Sequence, residues 1–434
     1  MGCAFSNFRG LVPSFNESQR VLEFNGRRFK VVSKLGEGGY AFVFLVQEIP
    51  NPLTPHNSLI EPSRHQYALK QVLAQSREQL ELVQEEVLMT GRFNHPNIVK
   101  LLDSGITTIP ASKNEDAHHQ VYMLFPAYKD GSLQEVLANT PPTRQCFSVS
   151  QVLGIFDQVC AAVEAMHAHQ PPCAHWDIKP GNVLLQLDGV APAEALPSRA
   201  PATTSSSPPT RSRKKEARSA EEARAAGGCA PHAALADFGS ARRARVNVAN
   251  RQQAMALMEE AEKFASAPYR APELWDLPTH TQLDEKVDVW ALGCLLYAIM
   301  YRESPFEFNL EETGGSLALA VLSGRIRWPE EGPLAYPDTL HQLVLFMLQA
   351  CALLNAVIKR LKPSLQDWSC LGKAQDILKI AASCLKLYCF EVSWATVFDR
   401  LVSSMFCHAA RTICDYQPKY VFLSLVHFLH SACD

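Results

Sequence analysis

The tightest constraint on this chain is the order in which a few short strings occur along it. A glycine-rich turn, GEGGYAFV from Gly36 to Val43, is followed by YALK ending at Lys70 and by Glu86 in a stretch of helical composition. Then come HWDIKPGN from His175 to Asn182, DFG from Asp237 to Gly239 and APE from Ala271 to Glu273. Each alone is weak: glycine-rich turns serve many ligands, and Lys70, Glu86, Asp177 or Asp237 taken singly reads equally as a member of a surface ion pair worth ~1 kcal/mol or less. Their joint order is hard to obtain by chance. Together they supply what phosphoryl transfer requires: small residues that let backbone N–H groups approach phosphate oxygens, a cation on the phosphates, acidic or amide ligands for magnesium, and a carboxylate facing the attacking hydroxyl.

The same strings in the same order make up the signature set of protein kinases, which the chain resembles from about Phe29 to Trp328. The resemblance implies an α+β, bilobal protein-kinase fold with a small β-rich N-lobe and a larger, mostly α-helical C-lobe. It implies ATP as donor and Mg2+ as cofactor, with Lys70 on the α/β-phosphates, oriented by Glu86, Asp237 and Asn182 on the metal ions, and Asp177 as catalytic base or aligner of the substrate hydroxyl. Gly36, Gly38 and Gly39 would lie over the phosphates. Val43, Ala68 and Phe125 would line the adenine pocket, and Pro126 to Tyr128 would form the hinge whose backbone reads the adenine edge. Lys179, two residues after Asp177, would sit near the γ-phosphate; with Ser266, three before Tyr269, it follows the pattern of enzymes that phosphorylate serine and threonine in proteins. His175 and Phe238 read as packing residues between the lobes, and Asp288 as a tie for the backbone of the catalytic loop.

YALKQV, SAPYRAPELWD and DEKVDVWALGCLLYAIMYRESPFE, added to an MGC start, resemble the Numb-associated kinase family, above all its small lipidated member. That implies an extra helix within the activation segment. Ala254, Leu257, Met258, Ala261 and Phe264 support the helix independently, because they recur at i, i+3, i+4, i+7 and i+10. Gly2 followed by Ser6 fits the myristoylation pattern, and Cys3 beside it is a palmitoylation candidate. One myristoyl chain holds a protein only marginally on a bilayer, whereas a second acyl chain makes the anchor stable. The family member implies residence on the cytoplasmic face of Golgi and associated membranes.

Composition narrows the partners. Lys and Arg number 41 against 44 Asp and Glu, so the net charge is −3, and with a pI near 6.5 no basic field argues for nucleic acid. The expected partners are a protein substrate, ATP and membrane lipid. A hydrophobic share of 47% excludes a wholly disordered chain. No window reads as a membrane span; the best, Val344 to Ile358, is short and interrupted by Gln349 and Asn355. Seven of the 13 cysteines fall between Cys351 and Cys433 without a CxxC pair, which reads as free thiols rather than a metal site.

The expected organisation is a lipidated segment over 1–26, a kinase domain over 27–380 split at 126, and an extension over 381–434 without a recognised counterpart. Strands are expected on both sides of the glycine-rich turn, at Tyr67 to Val72 and within NHPNIVKLL. A helix is expected at Gln75 to Arg92 with Leu80, Val83, Val87 and Leu88 on one face, and helices from Leu133 onward. Residues 187–232, rich in Ala, Pro and Ser, read as a disordered insert.

Several departures matter. Ala41 stands where the third glycine is usual. Trp176 replaces the arginine that pairs with a phosphorylated activation loop in many kinases. The expectation is activity independent of that phosphorylation; the alternative is a weakened enzyme. Fifty-five positions separate Asn182 from Asp237. The arginine-proline expected to pair with Glu273 is missing, Lys362-Pro363 being the nearest match. The readings are therefore an active, membrane-anchored serine/threonine kinase or, alternatively, a lipid-anchored pseudokinase scaffold. A small-molecule phosphotransferase of related fold is disfavoured by the intact APE string.

Overall fold

Asn25 and Gly26 both adopt positive φ, 49° and 69°, and so close the two-residue hairpin that Asn-Gly favours. The turn joins β1 (Val21–Phe24) to β2 (Arg27–Glu37) and starts an antiparallel sheet with β3 (Ala41–Ile49), β4 (Gln66–Ala74), β5 (Asp103–Ile109) and β6 (His118–Pro126), in the order β1-β2-β3-β4-β6-β5. The structure is a computed structural model that describes residues 20–348, apart from 39–40, 51–64, 110–117, 142–145, 193–230, 309, 311–313 and 330–335. Because β1 belongs to the sheet, the N-lobe begins at Val21 rather than at the expected boundary of 27.

Period-two alternation divides the sheet. Phe29, Val31, Phe44, Val46, Tyr67 and Leu69 turn inward and form the N-lobe core with Leu124, while Ala68 and Lys70 face the opposite side. Helix α1 (Arg77–Gly91) starts at Ser76, whose hydroxyl accepts the Gln79 N–H. The α1 face turned to the protein runs through Leu80, Val83 and Val87 to the buried Thr90, and Leu88 is solvent-exposed, one position off that stripe. NIVKLL is not a strand of the sheet. Its extended backbone is used elsewhere: the Val99 N–H donates to the Leu235 carbonyl at 2.9 Å and the Leu235 N–H to the Asn97 carbonyl at 2.8 Å.

The C-lobe comprises α2 (Leu133–Asn139), α3 (Val149–His167), β7 (Cys173–Ala174), β8 (Val183–Gln186), β9 (His232–Leu235), β10 (Arg242–Arg243), β11 (Val246–Val248), α4 (Arg251–Phe264), β12 (Thr281–Leu283), α5 (Lys286–Tyr301), α6 (Leu317–Ser323) and α7 (Asp338–Met347). Capping boxes of Ser132 with Glu135 and Ser148 with Gln151 begin α2 and α3. Helix α3 is long and apolar enough to cross a membrane by length and composition, a match the sequence reading did not pick out. Its buried positions, Val152 through His167, lie in the C-lobe core, which makes it a core helix. Every residue of α5 from Val287 to Met300 is buried, as expected of a helix packed on all sides. A Cβ at Gly293 would stand 2.9 Å from Leu348 Cδ2 and 3.0 Å from Met347 Cβ, so only glycine lets α7 lie this close to α5.

The extra helix expected in the activation segment is α4, with Ala254 and Ala261 buried on its stripe. Strands β8 and β9 pair from Val183↔Leu235 to Gln186↔His232, so His232, expected within the insert, belongs to a strand because it pairs with Gln186; between the strands, 193–230 lie outside the described residues. So do Gly2, Cys3 and Gly39, the Lys362-Pro363 match and the 381–434 extension.

Candidate active site

Two residues apart on β4, Ala68 and Lys70 share the face away from the N-lobe core. Register then gathers the rest of the upper wall: Val43 is the cross-strand partner of Lys70, Phe125 that of Ala68, and Gly36 that of Val43. The glycine-rich turn is closed by a bond from Gly38 N–H to the Ala41 carbonyl at 2.8 Å. A Cβ at Gly36 would meet nothing within 4 Å, and at Gly38 only the Ala41 oxygen at 3.9 Å. Neither glycine has a positive φ. Packing and backbone conformation therefore do not require them, and they leave the backbone open to close approach. Pro126 ends β6 opposite Tyr67, and the Tyr128 ring stacks on His232 with centroids 6.2 Å apart.

Lys70 Nζ lies 2.6 Å from Glu86 Oε1 on α1 and 3.0 Å from Asp237 Oδ1. Burial works against the Lys70 ammonium, but Asp237 and Glu86 outweigh it and hold its pKa above the ordinary lysine value. Lys70 in turn pulls the Asp237 carboxyl below its usual value. Burial, with Asp237 adding, pushes Glu86 up against the pull of Lys70. Asp237 adopts the left-handed conformation, φ 63°, next to Phe238, which is buried against Phe93 at 5.7 Å and edge-on to His175 at 5.3 Å. His175 and Phe238 are thus packing residues between the lobes, as their sequence context suggested.

Asp288 organises the catalytic loop from below. Fully buried on α5, it accepts the N–H groups of His175 at 2.7 Å and Trp176 at 2.9 Å, and pairs with His167 Nε2 at 2.9 Å. These bonds hold Trp176 at φ 67°, a costly conformation for a bulky residue. The next residue, Asp177, points its carboxylate at a converging set. Oδ1 accepts the Ser266 N–H at 2.9 Å, while Oδ2 accepts Asn182 Nδ2 at 3.0 Å and lies 2.7 Å from Lys179 Nζ. Lys179 also donates to Ser266 Oγ at 2.7 Å. The Ala236 N–H donates to the Asn182 carbonyl at 2.8 Å and sets Asp237 beside Asn182. Lys70, Asp177, Asn182 and Asp237 therefore meet in one cleft between the sheet and the helical lobe.

No group of three or more His, Cys, Asp or Glu side chains able to hold a metal occurs among the described residues. The hard oxygens of Asp237 and Asn182 suit a magnesium ion that takes its remaining ligands from phosphate and water, which is the donor set magnesium prefers. Glu273 forms no ion pair among the described residues; burial pushes its carboxyl up, Asp284 adds to this and Lys286 opposes it. Sequence reasoning missed Arg242, whose guanidinium lies 4.1 Å from the Trp176 ring centroid and pairs with Glu260 of α4.

A fold of this kind around these charges defines a protein kinase. The protein kinase domain model matches residues 29–351, and the chain belongs to the protein kinase family. It is 31% identical to a probable serine/threonine-protein kinase of Dictyostelium discoideum over 81% of this chain and 97% of that protein. To serine/threonine-protein kinase 16 of Rattus norvegicus it is 30% identical over 70% of this chain and 79% of that protein. A serine/threonine-protein kinase of Saccharomyces cerevisiae is 26% identical over 83% of this chain and 97% of its own length. The enzyme class is serine/threonine protein kinase.

Proposed function

We propose that the chain transfers the γ-phosphoryl group of ATP, with Mg2+, to serine and threonine hydroxyls of a protein, and that it works on the cytoplasmic face of membranes, Golgi and associated vesicles, held there by acyl chains on Gly2 and Cys3. The supporting observation is the convergence of Lys70, Asp177, Asn182 and Asp237 on one cleft. In this reading Lys70 cancels charge on the α/β-phosphates, held in place by Glu86. Asp237 and Asn182 would hold the magnesium, which when bound would supply positive charge to the phosphate oxygens. Asp177 orients the substrate hydroxyl and takes its proton as the hydroxyl oxygen bonds to the γ-phosphorus and the bond to the β–γ bridging oxygen breaks. Lys179 steadies the γ-phosphate side of the same carboxylate, and the open turn at Gly36 and Gly38, with Gly39, closes over the phosphates. Val43, Ala68, Pro126 and Tyr128 surround the adenine.

A scaffold without transfer activity is the second reading, favoured by Trp176 and Ala41. A radiolabelled γ-phosphate assay on purified wild type beside Asp177→Asn separates the two. Loss of signal in the variant supports transfer, and equal signal from both, or none from wild type, ends it. Omission of Mg2+ abolishes the signal. Anchoring is read from intact mass and membrane partition of wild type against Gly2→Ala and Cys3→Ser: acyl mass and membrane recovery are lost in Gly2→Ala, and equal partition of all three refutes the anchor.

A further inference from the structure

The cation next to the catalytic loop has changed sides. Where many kinases carry an arginine before the catalytic aspartate, this chain has Trp176, 4% exposed, with the planar guanidinium of Arg242 over its ring at 4.1 Å. The Arg242 guanidinium also lies 4.9 Å from the Phe264 ring centroid, its Nε donates to the Ser240 carbonyl at 2.8 Å, and Nη1 forms an ion pair with the Glu260 carboxylate. Trp176 is in the catalytic loop, whereas Glu260 and Phe264 belong to α4 of the activation segment. Glu85 of α1, adjacent to the Lys70 partner Glu86, adds negative field at the same guanidinium.

We propose that Arg242 is a positioning residue and that the Glu260 carboxylate stands where other kinases need a phosphate on the activation segment. The segment is then docked by residues already in the chain. Phosphorylation orders such segments by creating arginine–phosphate pairs; here an arginine–carboxylate ion pair is built in. A guanidinium stacks on aromatic faces and pairs with a carboxylate at once, which an ammonium does less well. The consequence reaches the reacting atoms through a short path. Helix α4 ends at Phe264, on the Arg242 stack, and two residues later the Ser266 N–H and Oγ meet Asp177 Oδ1 and Lys179 Nζ. Pinning Phe264 and Glu260 therefore sets the depth at which Ser266 engages the catalytic carboxylate. It also accounts for Trp176, since an arginine there would place a second cation against Arg242.

The inference rests on the phosphoryl-transfer reading and is tested so that the two fail separately. The full chain is compared with Glu260→Gln, Arg242→Ala, Arg242→Lys and the double variant Arg242→Ala/Glu260→Gln. The readouts are kcat and KM for ATP and for myelin basic protein, before and after phosphatase treatment verified by mass spectrometry, and amide hydrogen exchange over 251–266. Wild type is expected to keep its rate within about twofold after phosphatase. Glu260→Gln is expected to lower kcat/KM for the protein acceptor about tenfold, the loss of one charge-assisted pair, with KM for ATP unchanged and faster exchange over 251–266. Arg242→Lys recovers part of what Arg242→Ala loses, and the double variant is no worse than Arg242→Ala. Loss of most wild-type rate on dephosphorylation, unchanged rate and exchange in Glu260→Gln, or strict additivity in the double variant overturns the proposal. A wild type that transfers no phosphate, yet whose exchange responds to Glu260→Gln, refutes the transfer reading and supports the tie.

Discussion

Replacing Asp288 by alanine should damage both stability and catalysis, although Asp288 touches no substrate. Its carboxylate accepts two backbone N–H groups, from His175 and Trp176, and pairs with His167, all of them buried. Truncation leaves His167 Nε2 and two buried backbone donors unpaired; the backbone donors alone, at about 1–3 kcal/mol each, give an expected loss of about 4 kcal/mol before any cavity cost. That is a large share of the ~5–15 kcal/mol that holds a domain together. Trp176 also loses what keeps it at φ 67°, a conformation costing about 1–3 kcal/mol, and its relaxation carries Asp177 with it. A displacement near 1 Å costs about 100-fold in rate. Asp288→Asn retains one acceptor oxygen and should lose roughly half as much stability. Denaturant titration and single-turnover kinetics measure the two effects. An Asp288→Ala enzyme within about 1 kcal/mol and threefold of wild type would show that the loop is held by something else.

The pH dependence separates activity from stability. Glu86, raised above 4.5 by burial, takes up its proton while Asp237, held below 3.8 by Lys70, is still ionised. Protonating Glu86 breaks its pair with Lys70 but favours the fold, because the folded pKa is the higher one. Asp237, whose folded pKa is the lower one, contributes stability that is lost only as pH falls below 3.8. The acid limb of kcat/KM, which reports the free enzyme, is therefore expected above pH 4.5, ahead of unfolding followed by circular dichroism; coincident curves would contradict it. Gly293→Ala puts a methyl 2.9 Å from Leu348 and should cost about 1–3 kcal/mol in denaturant midpoint, whereas no change would mean α5 and α7 are loosely packed. Ser132→Ala removes the capping box at α2 and should cost about 1 kcal/mol, checked by the same titration.

The convergence of Lys70, Asp177, Asn182 and Asp237 was legible in the sequence because the proposed chemistry restricts residue type: a cation for phosphates, hard oxygen donors for magnesium. The sheet was read less well, and the failures have physical causes. NIVKLL has strand composition, yet Ile98 and Val99 are buried at the junction with β9. The strand is instead DSGITTI, whose glycine looks like a breaker; Gly105 is required because a Cβ there would meet Phe24 Cδ2 at 2.8 Å. Leu88 fell on the wrong side of α1 because the stripe turns on a residue-by-residue drift that composition does not fix. Arg242 carries no local signal at all. Its partners Trp176, Glu260 and Phe264 lie on both sides of it in sequence and meet only in the folded chain.

The β8–β9 ladder has a polarity that matters for how such a chain acquires new sequence. Val183 and Leu235 close the end beside Asn182 and Asp237, while Gln186 and His232 open the end beside Tyr128, where the Leu187 N–H also donates to Asp130 Oδ2 at 2.7 Å. Residues spliced in at the open end are separated by four cross-strand pairs from the end beside Asn182 and Asp237. The ladder thus separates the point where sequence is added from the Asp177, Asn182 and Asp237 cluster.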